Sequence, residues 1–205
     1  MNRSPTVYSS LFHTVADLVL VAEGVFSDDT CLGDTGGATK YGHDTASWPE
    51  ALARMPDEPR SRMPTNVCDL TRDLAVEAYW WAYWIYYRCY SYGPAFSLLT
   101  FDARVNGGDA DRWMQHAVGV SADGKVGPVT MAAVRRARTP AEVTAIVAEF
   151  QSWHLAYLAG LREWPEFGAH DRKPLGWSRR LFTMALAAAS LGAAGEVYGL
   201  VGAGA

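Results

Sequence analysis

The sequence predicts a mainly α-helical fold, because apolar residues recur at three- and four-residue spacing through most of the chain. Thr139, Pro140 and Glu142 mark a helix start, and residues 121–127 indicate a turn between two helices. Four prolines within residues 47–66 predict a surface loop there. We expect helices over residues 6–23, 70–91, 95–106, 110–118, 128–137, 140–164 and 176–192.

Composition narrows the class of protein. A chain of 205 residues that is 49% hydrophobic can bury a substantial core in one domain or in two closely joined lobes. The formal charge of −4 gives no general basis for binding a polyanion, so we expect no nucleic-acid partner.

Three widely spaced cysteines and five scattered histidines form no disulfide framework or metal-ligand pattern. We therefore expect free thiols, no metal and no other cofactor.

Residues 22–42 are the most informative stretch, since a glutamate at the end of an amphipathic helix is followed by a loop rich in Gly, Asp and Thr. Glu23 lies four residues after Val19, and burial beside apolar groups would raise its pKa, as a general acid requires. A solvated glutamate fits the same spacing. The loop glycines allow the chain to fold back and bring Asp34 and Thr39 towards Glu23. The apolar stripe comprises Leu11, Val15, Leu18, Val19 and Ala22.

The order EGVF, SDDTCLG and DTGGATKYGHD resembles the site motif of the glycoside hydrolase family 108 muramidases, a phage endolysin family. That motif runs EGGY, a short Asn/Asp loop, then DPGGATNYGIT. Here Val25 and Phe26 replace Gly and Tyr, while Thr35 and Lys40 replace Pro and Asn. The loop before Asp34 is two residues longer, so Asp28 and Asp29 remain alternatives to Asp34.

Three further segments carry the resemblance in the same order. Residues 69–84 resemble the family's LT..EA..IY..YW segment, and residues 98–108 resemble its VFD.AVNSG segment. Residues 110–130 resemble its C-terminal peptidoglycan-binding-type pattern, LQ..LGV..DG..GP.T. The resemblance implies a muramidase catalytic region at residues 1–108. It also implies a helical peptidoglycan-binding-type region at residues 109–205, packed on the first as one compact body.

The family implies a lysozyme-like fold with a small β-hairpin beside the catalytic helix. It also implies hydrolysis of the β-1,4 bond between N-acetylmuramic acid and N-acetylglucosamine in peptidoglycan. Glu23 would be the general acid, and Asp34 with Thr39 would activate a water. The expected substrate contacts are Tyr41, Tyr79, Trp84 and Asn106.

Alternatives stay open at this point. A non-catalytic wall-binding or virion structural protein, or a lytic transglycosylase, also fits the pattern.

The aromatic block at residues 79–92 can fill a core or line a glycan cleft, and core filling is the commoner use. The apolar run 181–195 is shorter than the roughly 20 residues of a membrane helix.

We expect a monomer that is made in the host cytoplasm without a signal peptide and that has no membrane partner. It would reach the cell wall through a holin or inside a virion. A basic patch could include Arg135, Arg136, Arg138, Arg172, Lys173, Arg179 and Arg180, although solvated helix faces explain these residues equally well.

Overall fold

The computed structural model describes residues 8–22, 32–34, 37–160 and 173–199. These residues are mainly helical with one small sheet, which confirms the predicted fold class. They form two compact units, one up to Tyr90 and one from Ser91 onward. This division falls earlier than the predicted boundary between residues 108 and 109, and that boundary stays a prediction.

The first unit combines short helices with a three-stranded antiparallel sheet. Its strands are β1 (Leu32–Asp34), β2 (Gly37–Lys40) and β3 (His43–Asp44), in the order β1-β2-β3. A π-helix, Trp80–Ile85, continues α4, and a 3-10 helix spans Val67–Asp69. The α-helices are α1 (Ser10–Ala22), α2 (Trp48–Arg54), α3 (Asp57–Arg60) and α4 (Arg72–Tyr79).

Helix α1 packs its apolar face on the aromatic side chains of the π-helix Trp80–Ile85. The side chain of Ser9 accepts a hydrogen bond from the Phe12 amide at 3.2 Å and so caps the helix. The Phe12 ring lies 4.9 Å from Trp80 and 5.5 Å from Trp84 between centroids. This contact turns the stripe by one residue from the prediction and leaves Leu11 and Leu18 half-exposed. The buried positions are Phe12, Val15, Ala16, Val19 and Leu20.

The surface loop predicted over residues 47–66 is wrong, because α2 and α3 lie within it. Pro49 stands in the first turn of α2, where a missing amide hydrogen costs nothing and the fixed φ favours the helix. The Trp48 ring is 2% exposed, and its indole nitrogen donates to the Pro64 carbonyl at 2.9 Å. The Arg54 guanidinium lies over the ring of Tyr87, 5.2 Å from its centroid. The segment therefore contributes Trp48, Ala51 and Met55 to the core of the unit, while much of it stays exposed.

The aromatic block at residues 79–92 mostly fills that core. Tyr79, Tyr83 and Trp84 are buried, whereas Tyr86 and Tyr90 are about half-exposed. The interpretation of this block as core is confirmed for its buried members. The π-helix within it was not predicted, because apolar spacing does not distinguish a π-turn from an α-turn.

The second unit is built around one buried helix. Every residue from Ala95 to Ala103 in α5 is buried, and α5 packs against α6, α8 and α9. The predicted turn at residues 121–127 lies between α6 and α7, as expected. The helices are α5 (Pro94–Val105), α6 (Ala110–Ala117), α7 (Pro128–Val134), α8 (Pro140–Gly160) and α9 (Lys173–Gly199).

A buried ion pair joins α5 to α9. Asp102 Oδ1 accepts hydrogen bonds from Arg180 Nε at 2.9 Å and from Arg180 Nη2 at 2.7 Å. Burial lowers the pKa of the neighbouring His154 to about 4, although Asp102 acts in the opposite direction. Because Arg180 is buried in this pair, it does not contribute to a basic surface patch.

The cysteines differ from the expectation of three free thiols. Cys68 is disulfide-bonded, whereas Cys89 is a buried thiol that donates to the Tyr83 carbonyl. Cys31 lies outside the described residues. Wide spacing and an odd number of cysteines carried no signal for this bond.

Helix α9 contains the apolar run 181–195. Leu181, Met184 and Ala188 are buried, but Phe182 and Leu186 are each 71% exposed. Among the described residues, none of the helices is both long enough and apolar enough to cross a membrane.

Gly108 allows a close approach that a side chain would block. A Cβ atom at Gly108 would lie 2.2 Å from Trp113 Cη2, and the Trp113 ring is itself packed on His154 and Phe150. We predict that Gly108→Ala lowers the free energy of unfolding by about 1–3 kcal/mol in urea denaturation. Gly127→Ala is the control, since a Cβ there meets nothing within 4 Å. Equal midpoints for the two variants would contradict this packing argument.

Candidate active site

The structure gives the backbone frame around the predicted acid and base. Helix α1 ends at Ala22, directly before Glu23, and β1 ends at Asp34. Glu23 lies outside the described residues, as do Asp28 and Asp29. The catalytic roles of Glu23, Asp34 and Thr39 therefore stay predictions.

The strand register places two predicted site residues on one face of the sheet. Asp34 pairs with Gly37 across β1 and β2, and Gly37 stands two residues before Thr39. Directly opposed residues share a face of an antiparallel pair, and so do residues two apart on one strand. Positions 34 and 39 therefore belong to the same face, and Thr39 is exposed there.

A two-residue hairpin turn joins β2 to β3. Lys40 pairs with His43, and the intervening Tyr41 and Gly42 have φ values of 51° and 75°. Two consecutive positive φ values fit a type I′ turn, which matches the twist of a hairpin. The positive φ strains a residue with a Cβ, so Tyr41 needs support from its surroundings. The Tyr79 hydroxyl gives it by donating to the Tyr41 carbonyl at 2.9 Å.

His43 fixes the same hairpin to α4. Its Nε2 donates to the Ala75 carbonyl at 3.2 Å, and its ring lies 4.3 Å from Tyr79 and 5.2 Å from Trp48. Burial lowers the His43 pKa to about 4, outweighing the opposite effects of Ala75 and Asp44. The ring is therefore neutral at neutral pH, and His43 is a buried core residue.

Lys40 has a structural contact rather than a purely solvated side chain. Its Nζ donates to the Cys68 carbonyl at 2.9 Å, which attaches β2 to the 3-10 helix Val67–Asp69. The sheet is thus held from two sides, by α4 and by this 3-10 helix.

The predicted substrate contacts separate into two groups. Tyr79 and Trp84 are each 1% exposed, so the structure gives both a packing role and offers no ring face to a sugar. Tyr41 is half-exposed beside Thr39 in the sequence. Asn106, in the second unit, is half-buried, and its Nδ2 donates to the Asp102 carbonyl at 2.7 Å. Sugar contacts from Tyr41 and Asn106 stay predictions.

Gln115 organises the turn at residues 121–127 in the second unit. Its Nε2 donates to Asp123 Oδ1 at 2.8 Å and to the Lys125 carbonyl at 3.2 Å. Its Oε1 accepts from the Gly124 amide at 2.8 Å. Hydrogen bonds from the Lys125 amide and from Gln115 lower the Asp123 pKa. Gln115 corresponds to the glutamine of the LQ..LGV..DG pattern, and this correspondence is the sequence signal for its role. It was not among the predicted site residues.

Within residues 8–22, 32–34, 37–160 and 173–199, no three His, Cys, Asp or Glu residues are grouped so that they could hold a metal ion.

Two family models match consecutive parts of this chain. Residues 16–108 match the family model Glycosyl hydrolase 108, and residues 109–190 match the model Predicted Peptidoglycan domain. The solved structure of Brucella abortus SagA matches with a TM-score of 0.66 and 27% sequence identity. The match covers 88% of this chain and 95% of that one. A comparison with curated proteins gives no match.

The fold and these matches define a glycosyl hydrolase that acts on peptidoglycan. The mainly helical architecture is lysozyme-like, as expected. In particular, the chain carries a domain of the glycosyl hydrolase 108 family followed by a predicted peptidoglycan domain, which confirms the resemblance seen in the sequence.

The burial of His43 predicts a pH-dependent stability. The unfolded state binds a proton near pH 6.5, whereas folded His43 stays neutral down to about pH 4. Stability is therefore lost as pH falls from 6.5 towards 4, by up to about 3 kcal/mol for this residue. We predict that His43→Gln, which keeps a donor for Ala75, reduces this loss in urea denaturation at a series of pH values. Measurement at pH 7.5 reports the packing cost separately, and an unchanged pH dependence would contradict the assignment.

Proposed function

We propose that the protein is an N-acetylmuramidase that hydrolyses the β-1,4 bond between N-acetylmuramic acid and N-acetylglucosamine. The observation that carries this proposal is the shared sheet face of positions 34 and 39. The hairpin bearing them follows, in sequence, the helix that ends immediately before Glu23. The glycosyl hydrolase 108 and peptidoglycan domain matches support the bond class.

In the proposed mechanism Glu23 protonates the glycosidic oxygen as the bond to the anomeric carbon breaks. Asp34 accepts a proton from a water on the opposite face of the sugar, and the Thr39 hydroxyl helps to position that water. The water oxygen bonds to the anomeric carbon, and the product is a reducing N-acetylmuramic acid end. This chemistry proceeds without a metal or an organic cofactor.

The wider biological role is part of the same proposal. We infer an endolysin-type enzyme, active as a monomer, made in the cytoplasm and delivered to the wall through a holin or in a virion. The formal charge of −4 supports the absence of a nucleic-acid partner, because phosphate backbones are bound through positive charge.

Replacing the acid tests the first role. We predict that Glu23→Gln lowers the rate of peptidoglycan hydrolysis at least about 100-fold, because the amide cannot donate the proton as a carboxylic acid does. Dye release from labelled peptidoglycan measures the rate, and circular dichroism checks folding. Glu50→Gln, on the exposed side of α2, is the matched control. A folded Glu23→Gln protein that still hydrolyses the wall near the wild-type rate would remove Glu23 from the mechanism.

The stereochemistry tests the second role. If Asp34 acts on a water, the two carboxyl groups stand about 6.5–9.5 Å apart and the anomeric configuration inverts. We predict an α product in proton NMR of the first-formed anomer and a large loss of activity in Asp34→Asn. Asp57→Asn, a surface change on α3, is the control.

Each other outcome of that experiment has a distinct meaning. A β product would refute inversion. A fully active Asp34→Asn variant would move the base to Asp28 or Asp29, which the matching Asn variants would reveal. An anhydro end in mass spectrometry would make the enzyme a lytic transglycosylase, and no released fragments would make the protein a wall-binding or virion structural protein.

A further inference from the structure

A small open cavity lies among three helices of the second unit, within the matched peptidoglycan domain. It has a volume of about 300 Å³ and is bounded by the C-terminal ends of α6 and α7 and the first turns of α8. This volume is at the lower limit of ligand pockets and suits a few small residues. The apolar lining consists of Ala117, Val118, Ala133, Ala137, Ala145 and Ile146.

The chemistry of this lining favours a peptide over a sugar. Protein sites that hold sugars commonly offer an aromatic face, and none of the described residues that line this cavity is aromatic. Alanine side chains leave room instead for small groups such as methyls. The remaining lining residues are one cation and one anion, Arg136 and Glu142.

These two charged groups differ in how they are held, because Glu142 Oε2 accepts three hydrogen bonds at the start of α8 whereas the Arg136 side chain is exposed. Arg136 is exposed and has no ion pair with any residue that the structure describes. The Glu142 carboxylate is fixed by the start of α8, because its Oε2 accepts from the Arg138 amide at 2.8 Å and the Thr139 amide at 2.9 Å. These hydrogen bonds lower its pKa, so the group stays ionised at neutral pH. Glu142 likewise has no ion pair within the described ranges.

We propose that this cavity binds the free end of an uncross-linked peptidoglycan stem peptide, with its terminal carboxylate on Arg136 and the amine of its diamino residue near Glu142. The methyl group of the terminal D-alanine would occupy the alanine-lined wall. This inference rests on peptidoglycan as the partner and adds the part of peptidoglycan that is recognised. Cross-linking turns the carboxylate or the amine into an amide, so the cavity distinguishes free stems from cross-linked ones.

The test uses the full chain and a synthetic stem, L-alanyl-γ-D-glutamyl-L-lysyl-D-alanine, which contains no glycan. Binding is measured by calorimetry and by amide shifts in NMR. We expect binding by the wild type and a loss of at least about 10-fold in Arg136→Gln, the loss typical of a charge-assisted hydrogen bond. Arg135→Gln, one residue away and outside the cavity, should bind as the wild type does. Ala145→Phe should also weaken binding, because the ring fills the cavity without changing charge.

A double-mutant-type cycle, which changes Arg136 in the protein and the C-terminus of the peptide, identifies the peptide group that Arg136 binds. The peptide with a C-terminal amide should bind the wild type as weakly as the free acid binds Arg136→Gln, and the two changes together should cost no more than either alone. Equal binding of acid and amide, unaltered binding by folded Arg136→Gln, or no binding at millimolar peptide would overturn the inference. Because the probe lacks a glycosidic bond, peptide binding without wall hydrolysis would refute the proposed function while leaving this inference intact.

Discussion

The attachment of the small sheet to α4 is the constraint on which the catalytic unit depends. Its three strands contain three, four and two residues, too few to be stable as an isolated sheet. His43 and Tyr79 provide this external support. The His43 ring hydrogen-bonds to Ala75 in α4, and the Tyr79 hydroxyl of α4 hydrogen-bonds to Tyr41 in the strained turn of the β2–β3 hairpin. Positions 34 and 39 therefore depend on two buried side chains that act through packing and hydrogen bonds.

The two units stabilise their key polar features in different ways. In the first, His43 is buried as a neutral ring with one hydrogen bond, while the buried Glu77 carboxylate pairs with the exposed Arg62 at 2.5 Å. In the second, a full ion pair between Asp102 and Arg180 is buried, and removal of either partner would leave an uncompensated charge. Gln115 shows a third solution, since one amide side chain satisfies both a donor and acceptors of the turn at residues 121–127. These buried or turn-forming polar residues thus have separate physical explanations.

Sequence patterns predicted the long helices well and the short features poorly. Helices α5 and α8 begin within a residue of the predicted segments, because their apolar spacing extends over several turns. Helices α6 and α7 are short, but the turn at residues 121–127 and the motif around it indicated their starts. Helices α2 and α3 have seven and four residues, too few for a period to be recognised, and their prolines resembled loop residues. Of the site, sequence predicted the Asp34 and Thr39 region through its motif. It could not show that Tyr79 and Trp84 are packing residues, since a motif letter carries no information about burial.

Local charge, rather than overall charge, explains how an acidic protein can engage an anionic wall. With a net charge of −4, long-range attraction to the wall is absent, and screening limits any exposed charge to about 8–10 Å. Recognition must then come from groups placed at contact distance. Arg180 cannot provide it, because Asp102 already neutralises it in the core. Arg136 differs, since it stands at the edge of a cavity with its charge uncompensated by any described residue. In the proposed site, this guanidinium can bind a carboxylate through two parallel hydrogen bonds, which would select it by geometry as well as by charge.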